Sequence, residues 1–322
     1  MIGRLGEALS TITQSKTDES WRVPRTEVSW WSRLIDNENV VGYLFVAPLI
    51  LGLVVFTYGP VLAAFFLSFT KGDYISTPEW IGLGNYGALL DDKLFWKSLN
   101  NTLYYVAGVV PVGMALSLLL ALAMNQKLRG IVVFRTIFFL PTISSSVAIS
   151  LMWLWIYNPE FGALNFLLDQ VGIKGPAWLS SPDWAMPAVM IMAVWRGLGY
   201  NMLIYLAGLQ GIPEIYYEAA DIDGAGPWAK FWNITLPMLS PTNFMLLILG
   251  LIGAFQVFEY TYVMTSGGPV YSTLTLVLHV YNNAFRNFQM GYASALAYVV
   301  FFILLILTMI QFWLQRRWVY YD

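Results

Sequence analysis

The chain has no cysteine and a single histidine, His279, in 322 residues. The first absence excludes a disulfide framework, Cys-ligated zinc and a thiol nucleophile. The second excludes any site that needs two imidazoles. Charge is scarce as well: Asp, Glu, Lys and Arg make up 11% of the residues, against about 25% in an average soluble domain. The net charge of −2 gives no bulk electrostatic reason to expect a nucleic-acid partner. No Gly-Lys-Ser or Gly-Lys-Thr occurs, so the phosphate-cradling loop of a nucleotide hydrolase is missing, and no HExxH helix or paired Asp cluster offers a metal site. What is abundant is apolar: 58% hydrophobic, 16% aromatic, mean hydropathy +0.61. A soluble protein of this length has too little interior to hide that surface. The composition therefore excludes a cytosolic enzyme, a secreted disulfide scaffold and a disordered chain, and requires a bilayer as solvent.

Crossing a hydrocarbon core of about 30 Å takes roughly 20 apolar residues in a helix. Six segments qualify: about 41–69, 98–124, 131–157, 184–209, 238–265 and 292–315. Pro48 and Pro60 interrupt the first, Pro111 the second, Pro141 the third and Pro187 the fourth. Such breaks are tolerated where neighbouring helices re-satisfy the freed carbonyls. The expected organisation is a polar cytoplasmic segment 1–40 without a signal peptide, a six-helix membrane domain 41–315 and a cytoplasmic tail 316–322. With both termini inside, 11 of the 17 Lys and Arg residues fall in inner segments, 5 in outer loops, and Arg196 within the fourth span. That asymmetry favours N-in, C-in.

One inner loop departs from the rule. Residues 211–237 carry Glu214, Glu218, Asp221 and Asp223 but only Lys230. Read as a helix, Ile212, Ile215, Tyr216, Ala219 and Ile222 share an apolar face, while Glu214, Glu218 and Asp221 form an acidic stripe. Pro213 suits the first turn and Gly224 the stop. Helices that rest on lipid headgroups usually carry Lys or Arg on the polar face, so an acidic one reads better as a docking element for a soluble partner.

Glu218-Ala219-Ala220, three residues, Gly224, nine residues, Ile234, one residue and Leu236-Pro237 fill every position of the EAA signature. The chain thus resembles the permeases of binding-protein-dependent ABC importers over about residues 40–315. Phe139-Leu140-Pro141, the run Tyr157 to Gly162, Gly267-Gly268-Pro269 and Gly291-Tyr292-Ala293-Ser294-Ala295 resemble the carbohydrate-uptake branch, specifically the first permease subunit of maltose and glycerol-3-phosphate type transporters. The resemblance implies an all-α type I importer permease fold with a short cytoplasmic coupling helix between the fourth and fifth spans. It implies four kinds of neighbour: a second permease subunit forming a heterodimer, two ATPase subunits docked on the coupling helices, an extracytoplasmic solute-binding protein, and the lipid of a prokaryotic cytoplasmic membrane. This chain would bind no cofactor, ATP and Mg lying on the ATPase subunits. Glu218, Ala219, Ala220, Asp221, Gly224, Leu236 and Pro237 would form the ATPase-coupling segment.

Embedded ionisable groups are candidates for a solute path. Arg196 and Glu259 are the two clear ones, and an Arg–Glu pair between helices is their purely structural alternative. At helical spacing Phe255, Gln256, Glu259 and Tyr262 share a face that mixes flat apolar surface with donors and acceptors, a combination suited to sugars. Tyr200 and Asn201 stand in a comparable stretch of the fourth span, and the resemblance places Tyr200, Phe255 and Gln256 at solute-contacting positions. Trp153 and Trp155 read as belt aromatics, and His279, Asn282 and Asn283 as decoration of an outer loop or helix. The competing class is an ion-coupled secondary transporter relaying through Glu259, for which the EAA spacing would be accidental.

Overall fold

A computed structural model describes residues 38–72, 77–126 and 129–320. Most of the expected polar segment 1–40, and the last two residues of the tail, lie outside the described residues. The first helix begins at Glu38 rather than at residue 41.

The chain divides into two compact units after Leu62. In the first, the described residues form the beginning of helix α1 (Glu38–Leu67), whose apolar side chains, such as Phe45 and Phe56, are exposed. Pro48 is carried inside the helix. Ahead of Pro60 the helix widens into a π-turn, Val54–Tyr58, in which the Gly59 amide reaches back to the Val54 carbonyl. The same device recurs at Phe231–Thr235, just before Leu236-Pro237. A wide turn re-routes the hydrogen bonding that a proline would break.

The second unit opens with a two-stranded antiparallel ribbon, β1 (Thr70–Lys71) and β2 (Glu79–Trp80), with Thr70 opposite Trp80. Helices α2 (Gly84–Asp91), α3 (Lys93–Met124), α4 (Ile131–Ile143), α5 (Ser146–Ile156), α6 (Ala163–Gln170) and α7 (Pro182–Gln210) follow. Then come α8 (Glu214–Ile222), α9 (Pro227–Met238), α10 (Ser240–Phe255), α11 (Glu259–Thr265), α12 (Leu276–Tyr281) and α13 (Met290–Gln315). Among the described residues, four helices are long and apolar enough to cross a membrane, or six if two bent pairs each count as one span.

Those pairs correct the expected spans. The third is not one helix over 131–157: α4 and α5 meet at 100°. The fifth is built from α9 and α10, bent by 62°, and it ends at Phe255, ten residues short of the expected 265. Pro111 and Pro187, by contrast, sit inside unbroken helices.

The long helices α3 and α7 form the central pair, with Val106 and Val110 of one and Val189, Met192 and Ala193 of the other in one buried cluster. In lipid, association draws on close packing and interhelical hydrogen bonds more than on escape from water. Small residues supply that closeness. A Cβ on Gly199 of α7 would overlap the Phe138 carbonyl of α4, so α4 approaches α7 to backbone contact there. A second cluster, with Ala121, Met202, Tyr205, Leu209, Ile212 and Leu239, closes the end of the bundle that carries α8.

The opposite end is tied by a polar network. Asp92 caps α3 by accepting from the Leu94 amide at 2.8 Å, and also accepts from the Tyr292 hydroxyl at 2.5 Å. His279 Nε2 lies 3.1 Å from the same carboxylate oxygen that Tyr292 bonds, Asp92 Oδ2, and Asn283 Nδ2 donates to the His279 carbonyl. His279 and Asn283 are both 5% exposed, so they are interior members of a three-helix tie and not loop decoration. Trp153 is likewise corrected: it packs on Tyr157 and Trp195, with ring centroids 5.0 and 5.5 Å apart, while Trp155 is exposed as expected of a belt residue.

Burial pushes the His279 imidazole below its usual value, against the opposing pull of Asp92. Burial raises the Asp92 carboxyl, but bonds from Tyr292, the Leu94 amide and His279 outweigh it and hold the group below the usual carboxylate value. The unfolded chain therefore binds a proton at His279 before the folded chain does, and stability declines as pH falls from about 6.5 through the lower folded value. His279→Gln is expected to remove the decline that sets in as pH falls below about 6.5, read as thermal unfolding in detergent. An unchanged pH slope in the variant would exclude His279 as its source.

Candidate functional site

Two features answer to the candidate residues: an exposed helix at one end of the bundle and a cavity within it. Helix α8 begins after Pro213, which stands as its N-cap residue with extended geometry. It ends in a Schellman motif: the Ala225 amide bonds the Ala220 carbonyl at 2.8 Å and the Gly224 amide bonds the Asp221 carbonyl at 3.1 Å. Gly224 takes φ +74 with nothing within 4 Å of a would-be Cβ, so backbone geometry and not space selects glycine there. Ala220 and Gly224 of the signature thus belong to one turn, closed from Ala220 to Ala225.

The helix is held to the bundle at few points. Ile212, 9% exposed, inserts in the cluster beneath it. The Tyr217 hydroxyl meets Thr235 Oγ1 at 2.9 Å, and Lys230 pairs with Asp221. Of the expected apolar face, Ile215, Tyr216, Ala219 and Ile222 are exposed, Ile222 at 87%. Glu214 and Glu218 are exposed beside them, so the acidic stripe keeps two free carboxylates once Lys230 has taken Asp221. Leu236 and Pro237 lie behind the helix in α9, where the π-turn delivers the chain to the membrane span.

The cavity, about 440 Å³, is walled by α3, α7, α10 and the start of α11. Of the expected path residues, the structure brings together Asn201, Gln256 and Glu259 on its lining. Tyr105 and Tyr260, which the sequence alone did not single out, complete its polar wall. The other candidates are placed elsewhere. Tyr200 is 47% exposed and points away from the lining, Phe255 is 1% exposed inside the core, and Tyr262 lies beyond the cavity against Phe258 and Tyr281.

The reason is a break in the helix. Residues 255–262 do not form the continuous face expected of them, because α10 stops at Phe255 and α11 starts at Glu259. Thr275 Oγ1 donates to the Val257 carbonyl at 3.0 Å and Thr261 Oγ1 to the Phe258 carbonyl at 3.0 Å. The donor for Val257 comes from 18 residues away, so no local signal marks the break. It turns Gln256 and Glu259 into the cavity mouth, where both are exposed in the single chain.

Arg196 is no partner of Glu259. Its guanidinium donates to the Tyr260 hydroxyl at 2.7 Å and to the Ser144 carbonyl at 3.2 Å, while its own carbonyl accepts from Thr142 Oγ1 at 3.1 Å. Arg196 therefore clamps the α4–α5 bend and the start of α11 onto α7, and orients the Tyr260 phenol that lines the cavity. Among the described residues Glu259 makes no salt bridge.

The sequence matches the family model for the binding-protein-dependent transport system inner membrane component over residues 113–320. It is similar to a probable ABC transporter permease protein, YesP, of Bacillus subtilis, 40% identical over 296 residues, spanning 90% of this chain and 95% of that one. It is similar to the lactose transport system permease protein LacF of Rhizobium radiobacter, 39% identical over 87% of this chain and 95% of the relative. The sn-glycerol-3-phosphate transport system permease protein UgpA of Agrobacterium fabrum is 35% identical over 88% of this chain and 97% of its own. Among solved structures, a chain of a bacterial ABC transporter that imports the acidic polysaccharide alginate superposes with a TM-score of 0.78. At 24% identity, covering 89% of this chain and 98% of that one, it supports the fold.

The clamp is testable by a double-mutant cycle. Arg196→Gln and Tyr260→Phe are each expected to lower thermal stability, with a coupling of about 1 kcal/mol or more, since a hydrogen bond to a charged group contributes roughly 1.5–3 kcal/mol. Additive losses would mean that the two side chains do not act as one contact.

Proposed function

The chain belongs to the binding-protein-dependent transport system inner membrane components, and we propose that it serves as one of two permease subunits of an ATP-driven importer for a sugar or sugar-like solute. The solute class is an oligosaccharide, glycoside or polyol. A second, homologous permease completes the path as a heterodimer. An extracytoplasmic binding protein delivers the solute, and two ATPase subunits bind ATP and Mg beneath the pair. This chain is the non-catalytic conduit, multi-pass in a prokaryotic cytoplasmic membrane, with α8 facing the cytoplasm.

The observation that carries this reading is the exposed apolar face of α8, bearing the complete EAA signature at one end of the bundle. Ile215, Tyr216 and Ile222 would be costly to leave in water and form a small, shaped surface for a groove on the ATPase. Glu218 offers acceptors for charge-assisted bonds from basic groups in that groove. The family match covers α8 and the spans on either side of it, so the EAA spacing is not an accident. The ion-coupled alternative loses its premise.

For the solute, relatives named for lactose and for sn-glycerol-3-phosphate point to hydroxyl-rich cargo. The cavity fits a neutral member of that class. Asn201, Gln256 and Tyr260 offer donors and acceptors, Phe258 offers a flat face, and the nearby Arg196, bonded to Tyr260 and Ser144, is not on the lining. An anion would need a cation on the lining, and the lining carries none. The mechanism is alternating access: ATP binding closes the ATPase dimer, α8 follows it, the permease pair opens outward to receive solute, and hydrolysis returns the cavity to the inside.

Gly224 gives the discriminating test, because its constraint is conformational. Asn tolerates positive φ and Val does not. In the reconstituted transporter, Gly224→Val is expected to insert normally yet lower solute-stimulated ATP turnover roughly tenfold, the kinetic equivalent of about 1–2 kcal/mol of strain at the turn. Gly224→Asn should lose much less. Wild-type coupling in the Val variant would remove α8 from the transmission path.

A further inference from the structure

We propose that the first turns of α9 form a membrane-surface anchor: Trp228, Phe231 and Trp232 seat in the lipid headgroup layer on the α8 side and hold α8 at a fixed depth. This requires only that the α9–α10 pair enters a bilayer, whatever the solute. The three rings form one cluster. Trp228 meets Phe231 with centroids 6.0 Å apart and Trp232 at 5.8 Å, and Phe231 meets Trp232 at 5.3 Å. Trp228 is 73% and Trp232 50% exposed, and neither indole N–H has a hydrogen-bond partner among the described residues. An indole suits an interface, because its ring leaves water while its N–H reaches a headgroup oxygen.

The side on which the rings lie decides between lipid and a soluble partner. At helical spacing Trp228, Phe231 and Trp232 share a face with Thr235 and with Leu239, the residue that follows α9. Thr235 and Leu239 are buried in the bundle, 5% and 0% exposed. The face that carries the rings is thus the one that turns into the bundle a turn later, and where the bundle ends it overhangs lipid. Lys230 and Asn233 lie on the other side, where Lys230 pairs with Asp221 of α8. Aromatic rings on one face and a lysine on the other make the pattern of a helix lying in the interface plane.

Depth agrees with this. Ser240, the first residue of α10, accepts from the Tyr320 amide at 3.0 Å. Helix α13 ends close by at Gln315, followed by Arg316 and Arg317, and the Arg317 guanidinium lies over the Trp313 ring, 4.5 Å from its centroid. Arginines and a tryptophan at the end of an apolar helix mark the edge of the hydrocarbon. From Ser240 back to Trp228 the chain covers about 18 Å of helix at 1.5 Å per residue. A straight continuation of α10 would carry Trp228 that far into water. The 62° bend between α9 and α10 cuts the displacement along α10 to about 8 Å, and the headgroup layer is roughly 5–8 Å thick on each side. The bend therefore brings the rings back to that layer. Helix α8 is fastened to them through the Lys230–Asp221 pair and the Tyr217–Thr235 contact, so the membrane surface becomes the reference against which α8 moves.

The absence of cysteine makes the test direct. Trp232→Cys and, on α8, Ile222→Cys each place one thiol for a bimane fluorophore. The complete transporter, its other subunits free of cysteine, is reconstituted in phosphatidylethanolamine–phosphatidylglycerol vesicles. These contain lipids with a nitroxide either on the headgroup or near the end of the acyl chain. Position 232 is expected to be quenched roughly threefold more by the headgroup nitroxide than by the deep one, and position 222 by neither. In a second arm, Trp228→Gln combined with Trp232→Gln is expected to lower solute uptake roughly fivefold, about 1 kcal/mol on the limiting step. Trp228→Tyr combined with Trp232→Tyr keeps a ring with a polar tip and should stay within about twofold.

No lipid quenching at position 232 overturns the anchor, because protein then covers the rings, and stronger quenching by the deep nitroxide overturns it as well. The expected quenching with undiminished uptake in the double Gln variant overturns the claim that the rings hold α8. Quenching is read without solute or nucleotide. A transporter that shows the expected pattern but takes up no sugar therefore counts against the solute assignment alone.

Discussion

Backbone carbonyls released at breaks in apolar helices must find donors where water is scarce, and the rest of this structure depends on how that requirement is met. An unsatisfied peptide group in hydrocarbon costs several kcal/mol, more than the packing of most single side chains recovers. At the α4–α5 bend the Ser144 carbonyl is taken by Arg196. At the α10–α11 break the Val257 carbonyl is taken by Thr275, and the Phe258 carbonyl by the Tyr262 amide with Thr261 beside it. In the turn before α12 the Tyr271 and Leu274 carbonyls are both taken by Asn101, 170 and 173 residues earlier in the chain. The polar side chains buried in this bundle are therefore largely its mortar.

That accounting changes what an embedded charge means. Arg196 is the kind of residue that invites a role in solute recognition, yet it does not line the cavity, and its two terminal nitrogens are bonded to a phenol and a carbonyl. Its contribution to the cavity is indirect, through the orientation of Tyr260. Glu259 follows the opposite course: the break that exposes it is satisfied by threonines, and the carboxylate itself is left facing the cavity. The cavity is polar because a helix was interrupted there, and the interruption persists because a distant threonine stabilises it.

The same logic separates what the sequence discloses from what it does not. The rough placement of the apolar segments, the α8 helix with its Gly224 stop, and the family itself are all local patterns, and a local pattern survives into the structure. The Schellman turn at Ala220–Gly224 is legible because φ > 0 strongly favours glycine. The end of α10 is not legible, because Val257 and Phe258 are ordinary helix residues and the donor to the Val257 carbonyl stands at Thr275. His279 and Asn283 misled for a related reason. A lone histidine among asparagines looks solvated by composition, and only the pairing with Asp92, 187 residues away, makes it interior. Within the candidate site, Asn201, Gln256 and Glu259 converge on the cavity. Phe255 and Tyr262 share one helical face with Gln256 and Glu259 only if the helix continues, and that phase fails because it breaks after Phe255; Tyr200, which rests on the family resemblance, lies off the lining.

The breaks are unevenly distributed, and their distribution bears on how motion at α8 reaches the cavity. Helix α7 runs 29 residues without interruption, about 43 Å at 1.5 Å per residue. It carries Asn201 on the cavity wall and passes into α8 through the Gly211–Pro213 turn. The spans that flank it, α4–α5 and α9–α10, are bent by 100° and 62°. A stiff rod between jointed neighbours transmits a displacement at one end to the other, while the joints absorb the change in angle. Arg196 sits on that rod and grips both the α4–α5 joint and the first turn of α11. On the proposed reading, a pull at α8 thus reaches Tyr260 and Glu259 through one helix and one guanidinium, with no chain of adjustable contacts between them.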